Sequence, residues 1–282
     1  MAAVVELVWL VVMVVSAILA TRISTQKWLI ADAVLAFLFA ACTIPFAVKS
    51  QQMQTSGIPI DAAHGYLCNV YICYCLMPAI AFLLLKDSKD PTCTTALLLS
   101  RTVGAGLATL IITFGHFYAG IFNPMHLYYG VFGNAAWAGV SGFHLYLGGK
   151  ANRRGVASKV DLFLQVDIAF ALCYAIPDLL IPDVILSLCG MKADALHTHL
   201  LQVGGGVHVG TAALSFMALR FTSPNHKKAV LMSRIAIMLL MWAVRTYSWV
   251  ALEPATSFYS YFMACTGYLP FFPAYLGIRQ AY

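Results

Sequence analysis

Apolar runs of about 20 residues recur along this chain from one end to the other, separated by short connections. A hydrocarbon layer about 30 Å thick is crossed by roughly 20 apolar residues in a helix, at 1.5 Å each. Helices apolar on every side belong inside lipid, because a surface helix keeps one polar face. Composition agrees: 61% of the 282 residues are hydrophobic and only 10% are charged, with a mean hydropathy of +0.81. A soluble domain carries about 25% charged residues. The expected fold class is therefore all-α, a polytopic transmembrane helix bundle.

Nine spans are read, at residues 4–20, 28–48, 64–85, 94–122, 126–148, 160–188, 196–219, 229–252 and 257–278. The first lacks a basic leader and carries Glu6, so it reads as a span and not as a signal peptide. Of the 17 basic residues, twelve fall in alternate loops and the C-terminus, including Arg22, Lys27, Lys86, Lys89, Arg153, Arg154, Lys227 and Lys228. Lys49 and Lys192 fall on the other face. The positive-inside rule then places the N-terminus outside or in a lumen and the C-terminus in the cytoplasm. The formal charge of +6 is topology-setting, and no nucleic-acid partner is expected.

Six of the eight cysteines lie in apolar runs, and Cys93 and Cys189 fall in loops on opposite faces. No CxxC or Cys/His ligand spacing occurs, so neither a disulfide framework, a metal nor a cofactor is expected.

A self-match at one offset organises the chain. Gly57, Asp61, Ala62, His64, Pro91, Ser100 and Arg101 recur as Gly190, Asp194, Ala195, His197, Pro224, Ser233 and Arg234, every pair 133 positions apart. Apolar coincidences are cheap in such a chain, but these residue types in one register are not. With small shifts, Ile44-Pro45 answers Ile176-Pro177 and Asn123-Pro124 answers Glu253-Pro254. The expected organisation is an N-terminal helix and loop at 1–27, a four-helix repeat at 28–150 and a second at 151–282. Four spans per copy make the copies parallel, related by an axis along the membrane normal.

A helix ending in proline, a loop into DAAHGYL or DALHTHL, and a basic Pro-bearing turn before the third helix give the chain a resemblance to the DoxX-like four-helix membrane proteins. The resemblance implies two tandem four-helix units and little about chemistry.

Few polar residues lie inside the spans. Arg101 and Arg234 fall about 15 Å into their helices, where a charge costs a few kcal/mol and demands a partner. Asp32 and Asp167 lie in the same half of the bilayer, nearly one turn apart in aligned register, so an Asp–Arg contact is expected in each copy. The pairs read as structural or as the wall of a binding cavity. His208, among Gly204, Gly205, Gly206 and Gly210, reads as a close helix contact, or with Gln202 and Asn69 as a pocket. Asp61 with His64, and Asp194 with His197, open the second helix of each copy. Each pair reads as capping or as an outer-face site for a cation or a proton.

Three functions fit. In order, the chain binds or transports a small hydrophobic or ionic ligand in a cavity between the copies, lined by Asp32, Arg101, Asp167, Arg234 and His208. It is a non-catalytic subunit among other membrane subunits. Or it is a lipid or sterol enzyme, for which the carboxylates must converge on one pocket, and no catalytic residues are assigned. In each case the lipid bilayer is the first partner.

Overall fold

The computed structural model describes residues 2–188 and 193–251, with 276, 278 and 279. The expected ninth span, Cys189, Gly190, Lys192, Glu253 and Cys265 lie outside the described residues, as do the side chains of Glu6, Arg245, Trp249 and their neighbours at those ends. The chain is an all-α bundle. Its helices are α1 (Ala2–Arg22), α2 (Thr25–Thr43), α3 (Ala47–Gln54), α4 (Ala62–Leu85), α5 (Pro91–Tyr118), α6 (Pro124–His126), α7 (Gly133–Gly148), α8 (Val160–Leu180), α9 (Pro182–Leu188), α10 (Ala195–Ala218) and α11 (Pro224–Ala251).

Among the described residues, five helical segments are long and apolar enough to cross a membrane: Thr25–Gln54, Ala62–Leu85, Pro91–Tyr118, Val160–Leu180 and Ala195–Ala218. The surface supports the same reading, with Phe114, Phe117 and Leu180 each about two-thirds or more exposed, at 65%, 67% and 75%. Apolar exposure on that scale belongs against lipid. Several such helices fit a membrane protein.

Helix starts follow their caps. Asp61, Asp90 and Asp194 each accept a backbone N–H from the first turn of α4, α5 and α10, and Pro91 occupies the first position of α5, where its missing N–H costs nothing. The expected sixth span, 160–188, is instead two helices. Ile181 leaves helical geometry at φ −136° and ψ 46°, because the ring of Pro182 crowds the residue before it. Expected span 5 begins with a π-helical turn at Leu127–Phe132 before α7. Between the ends of α3 and α5, Ser56 N–H donates to Ile121 O at 2.8 Å and Asn123 N–H to Gln54 O at 3.0 Å. Gly57 and Gly120, with φ of 78° and 68°, turn the two loops into that contact, a conformation costly for any residue with a Cβ.

The two sequence stretches share one core. α4 and α10 are central, with 78% and 72% of their most apolar window buried, against 28% for the segment containing α2. The third helix of each stretch packs on the second helix of the other: α5 lies along α10, and α11 along α4. α5 and α10 approach closely at Gly104 and Gly210.

At the end where α5 begins, Asp90 ties the stretches together. Its carboxylate accepts from Thr92 N–H at 2.9 Å, Asn152 Nδ2 at 3.0 Å, and both the N–H and hydroxyl of Thr222 at 2.8 Å. Burial pushes this carboxyl up, but the Thr222 and Thr92 donors outweigh it and hold it below the ordinary 3.8. A carboxyl depressed on folding stabilises above its unfolded value and loses that contribution as pH falls through the folded one. The melting temperature of Asp90→Asn should therefore lie below wild type at neutral pH. The gap should close as pH falls below about 4; parallel melting curves at all pH values would contradict this.

Candidate functional site

Asp32, Arg101, Asp167 and Arg234 form two buried pairs. Arg101 Nε donates to Asp32 Oδ1 at 2.9 Å and Nη2 to Oδ2 at 3.1 Å. Arg234 Nε donates to Asp167 Oδ1 at 2.7 Å and Nη2 to Oδ2 at 3.2 Å. These are fork-to-fork contacts, the strongest geometry open to arginine and carboxylate. The three-residue offset between Asp32 and Asp167 is absorbed as expected, since nearly one turn returns a side chain to the same face. Each pair is completed differently. Arg101 Nη1 also donates to Cys75 O at 2.8 Å and lies 4.3 Å over the Trp137 ring, whose indole N–H donates to Asp32. Asp167 accepts from the Ser215 hydroxyl at 2.5 Å, and Arg234 donates to Thr211 Oγ1 at 3.2 Å.

Of these residues, Arg101 lines a space among the described residues, and that space is small. Beside Arg101, Tyr74, Ser100, Gly104, Trp137 and Thr211 enclose a space of about 10 Å³, room for one water at most. Carboxylates and guanidiniums that satisfy each other have no polarity left to hold a chamber open. His208 is buried with its ring 3.6 Å from that of Tyr74, and its Nδ1 has no hydrogen bond. Gln202 donates to Leu179 O at 3.2 Å. Asn69 is buried with Oδ1 unpartnered. None of these three lines either cavity described here.

The Asp/His pairs that open α4 and α10 meet. His64 and His197 stack with ring centroids 3.6 Å apart and an 18° interplanar angle. His64 Nε2 lies 3.1 Å from Asp194 Oδ2, and His197 Nε2 lies 3.5 Å from Asp61 Oδ1. Each aspartate thus caps its own helix and faces the histidine of the other. The capping role is real: His64 N–H donates to Asp61 at 3.0 Å, and Leu196 and His197 N–H donate to Asp194 at 2.9 and 2.8 Å. Burial pushes both carboxyls up. The amides they cap and the two imidazoles more than offset it, so both sit below their ordinary value. Two separate sites were expected; helix packing makes them one.

A larger cavity, of about 260 Å³, lies between α10 and the helices of the first stretch. Its polar wall includes Gln51, Tyr71, His126, Asn134 and His199, and its apolar wall includes Phe39, Ile112, Leu200 and Val203. The π-helical turn contributes Tyr129 and Gly130, and the Asn134 side-chain amide donates to Gly130 O at 2.9 Å. Tyr71 donates to Asn134 Oδ1 at 2.9 Å, and His126 Nδ1 lies 3.3 Å from His116 Nδ1. Among the described residues, no Asp, Glu, Lys or Arg lines this cavity.

The family described as "Domain of unknown function (DUF8292)" matches residues 30–278. The chain belongs to the DUF8292 family. No curated protein and no solved structure matches it. The DUF8292 match takes in both ion pairs, the Asp/His cluster and every residue of the 260 Å³ cavity, and leaves α1 outside.

Sequence reasoning about this DUF8292 chain missed the cavity. One signal was available: His116 and His126 flank the turn at Gly120, and His199 follows two residues after His197. The expected topology sets all three near one level of the bundle.

Proposed function

We propose that this DUF8292 chain is a multi-pass membrane protein of two tandem, DoxX-like four-helix copies that binds a small uncharged amphiphile in the cavity between α10 and the first copy. The observation that carries this is the wall itself. Ligand sites are mostly apolar with a few convergent polar groups, and here uncharged hydrogen-bonding side chains, Gln51, Tyr71, His126, Asn134 and His199 among them, converge on about 260 Å³. A charged ligand would find no counter-charge among the lining residues. Drug-sized ligands take roughly 300–1,000 Å³, so the occupant is smaller. The basic loops favour a cytoplasmic C-terminus, which sets this cavity and the Asp/His cluster in the outer half of the bilayer.

The enzyme reading is weaker, because no carboxylate lines this cavity. The ion pairs are scaffold in this reading: each is closed on itself.

The test is extraction of purified protein from lipid nanodiscs followed by mass spectrometry of what it retains. Wild type is expected to retain a discrete small molecule beyond bulk lipid. Val203→Trp, which drives an indole into the cavity, should retain about tenfold less, a difference near 1.4 kcal/mol, with its melting temperature kept. Recovery of bulk lipid alone from wild type, or equal retention by a folded Val203→Trp, would sink the proposal.

A further inference from the structure

We infer that Asp61, His64, Asp194 and His197 form a site for a divalent transition-metal ion of the zinc class, bound across the N-terminal ends of α4 and α10.

The argument starts from the donors. One ligand atom each from Asp61, His64 and His197 lie within 4.8 Å of one another. Ligands held at about 2.1 Å in a tetrahedral shell stand roughly 3.4 Å apart, and His197 Nε2 to Asp61 Oδ1 is 3.5 Å. Asp194 stands outside that group of three, 3.1 Å from His64 Nε2, and is proposed as the fourth donor. Two imidazoles and two carboxylates are a nitrogen and oxygen set suited to zinc, cobalt or nickel. Two carboxylates also supply the charge that a dication neutralises.

The decisive side chain is His197. It is only 4% exposed, yet both its Nδ1 and its Nε2 lack a hydrogen bond. Asp194 Oδ1 stands 3.1 Å from Nδ1 and Asp61 Oδ1 3.5 Å from Nε2, but neither lies in line with a ring N–H. Buried polar atoms without partners are rare and call for an explanation. Capping does not supply one, because the caps use the backbone N–H groups and the aspartate oxygens and leave both His197 ring nitrogens without an aligned hydrogen bond.

Stacked rings cannot both aim in-plane lone pairs at one point. Binding therefore turns one ring, and His197 is the one that turns, since it gives up no hydrogen bond in doing so. His64 already has its Nδ1 engaged by the Asp61 N–H at 3.2 Å and directs Nε2 toward the cluster. A metal at Nε2 needs the proton on Nδ1, which then donates to Asp61 Oδ1, 2.8 Å away, in place of the bond from the Asp61 N–H. The carboxylates keep their capping bonds, because each has lone pairs beyond those the amides use.

An ion here would brace the two helices that carry the stretches. His199, Leu200 and Val203 in the cavity wall follow His197 on the same helix, so the site fixes the end of α10 from which that wall hangs.

The test uses the full-length chain, without a histidine tag, in nanodiscs, titrated with Co2+ and read by ligand-field absorption and equilibrium dialysis. About one Co2+ per chain should bind with the intense visible bands of a low-symmetry site, and Zn2+ should displace it. Asp61→Asn keeps a good helix cap and should weaken Co2+ binding by about 10-fold or more, and His197→Ala by about 100-fold or more. His226→Ala, away from the cluster, should leave binding unchanged. Absence of a saturable cobalt band in wild type overturns the inference without reference to any variant. So does a band that persists at full strength in a folded Asp61→Asn or His197→Ala protein.

Discussion

Arg234→Met should destabilise the protein by about 3–5 kcal/mol, and Asp167→Leu by as much, while the double variant Asp167→Leu/Arg234→Met recovers most of the loss. The reason lies in what each single change leaves behind. Asp167 and Arg234 are 2% and 1% exposed, so neither reaches water when its partner is gone. Among the described residues, Asp167 without Arg234 keeps only the Ser215 hydroxyl, and Arg234 without Asp167 keeps only the Thr211 hydroxyl. Removing both charges deletes the desolvation cost along with the attraction, and apolar side chains of similar volume fill the space.

The first pair should respond less. After Asp32→Leu, Arg101 still donates to the Cys75 carbonyl and still lies over the Trp137 ring, so its charge is not stranded. Asp32→Leu should therefore cost less than Asp167→Leu, by about 1–2 kcal/mol, the scale of a desolvated cation–π contact. Thermal melts of all four variants in one detergent would measure this. A double variant as damaged as its parents would show that the pair is needed for something other than charge compensation. Equal losses at Asp32 and Asp167 would show that the Cys75 and Trp137 contacts hold no charge.

These pairs were legible in sequence because buried charge is so costly that it dictates its own partner. Arg101 and Arg234 each had one acidic residue at a compatible depth, and helix periodicity did the rest. The caps were legible for a similar reason, since Asp before Ala-Ala-His or Pro-Thr-Cys has one local use. The break at Ile181 was not, because hydropathy adds residues and is blind to the ring of Pro182. The meeting of His64 with Asp194 depends on how α4 and α10 cross, a long-range fact that no window of sequence contains. The 260 Å³ cavity was hidden more deeply. Its wall comes from α2, α3, α4, α5, α6, the π-helical turn, α7 and α10, each giving one to four ordinary residues such as Gln51, Tyr71 and Asn134. The cavity exists because Asn134 and Tyr71 satisfy each other across it, and mutual satisfaction leaves no mark on composition.

Gly210→Ala is the smallest substitution expected to have a large effect. A Cβ at Gly210 would stand 2.6 Å from Ser100 O and 2.7 Å from Gly104 Cα. Both are backbone atoms of α5, so no side chain can swing aside and the helices themselves must separate. Separation also breaks the bond from the Ser100 hydroxyl to Gly210 O, now 2.7 Å. Within a bilayer, close packing and interhelical hydrogen bonds drive association, because lipid removes the usual hydrophobic gain. Overpacking of this kind costs about 1–3 kcal/mol, and the lost hydrogen bond adds about 1 kcal/mol. Gly104→Ala is the internal control. Its Cβ would meet Gly210 Cα at 3.4 Å, an ordinary contact, and α-helix propensity favours alanine there by close to 1 kcal/mol. Gly104→Ala should thus be near neutral while Gly210→Ala is strongly destabilised, though the two glycines face one another across the same crossing. Melting temperatures that fall together would show that α5 and α10 do not approach as closely as their backbones are placed here, and with that the interleaving of the two stretches would be lost.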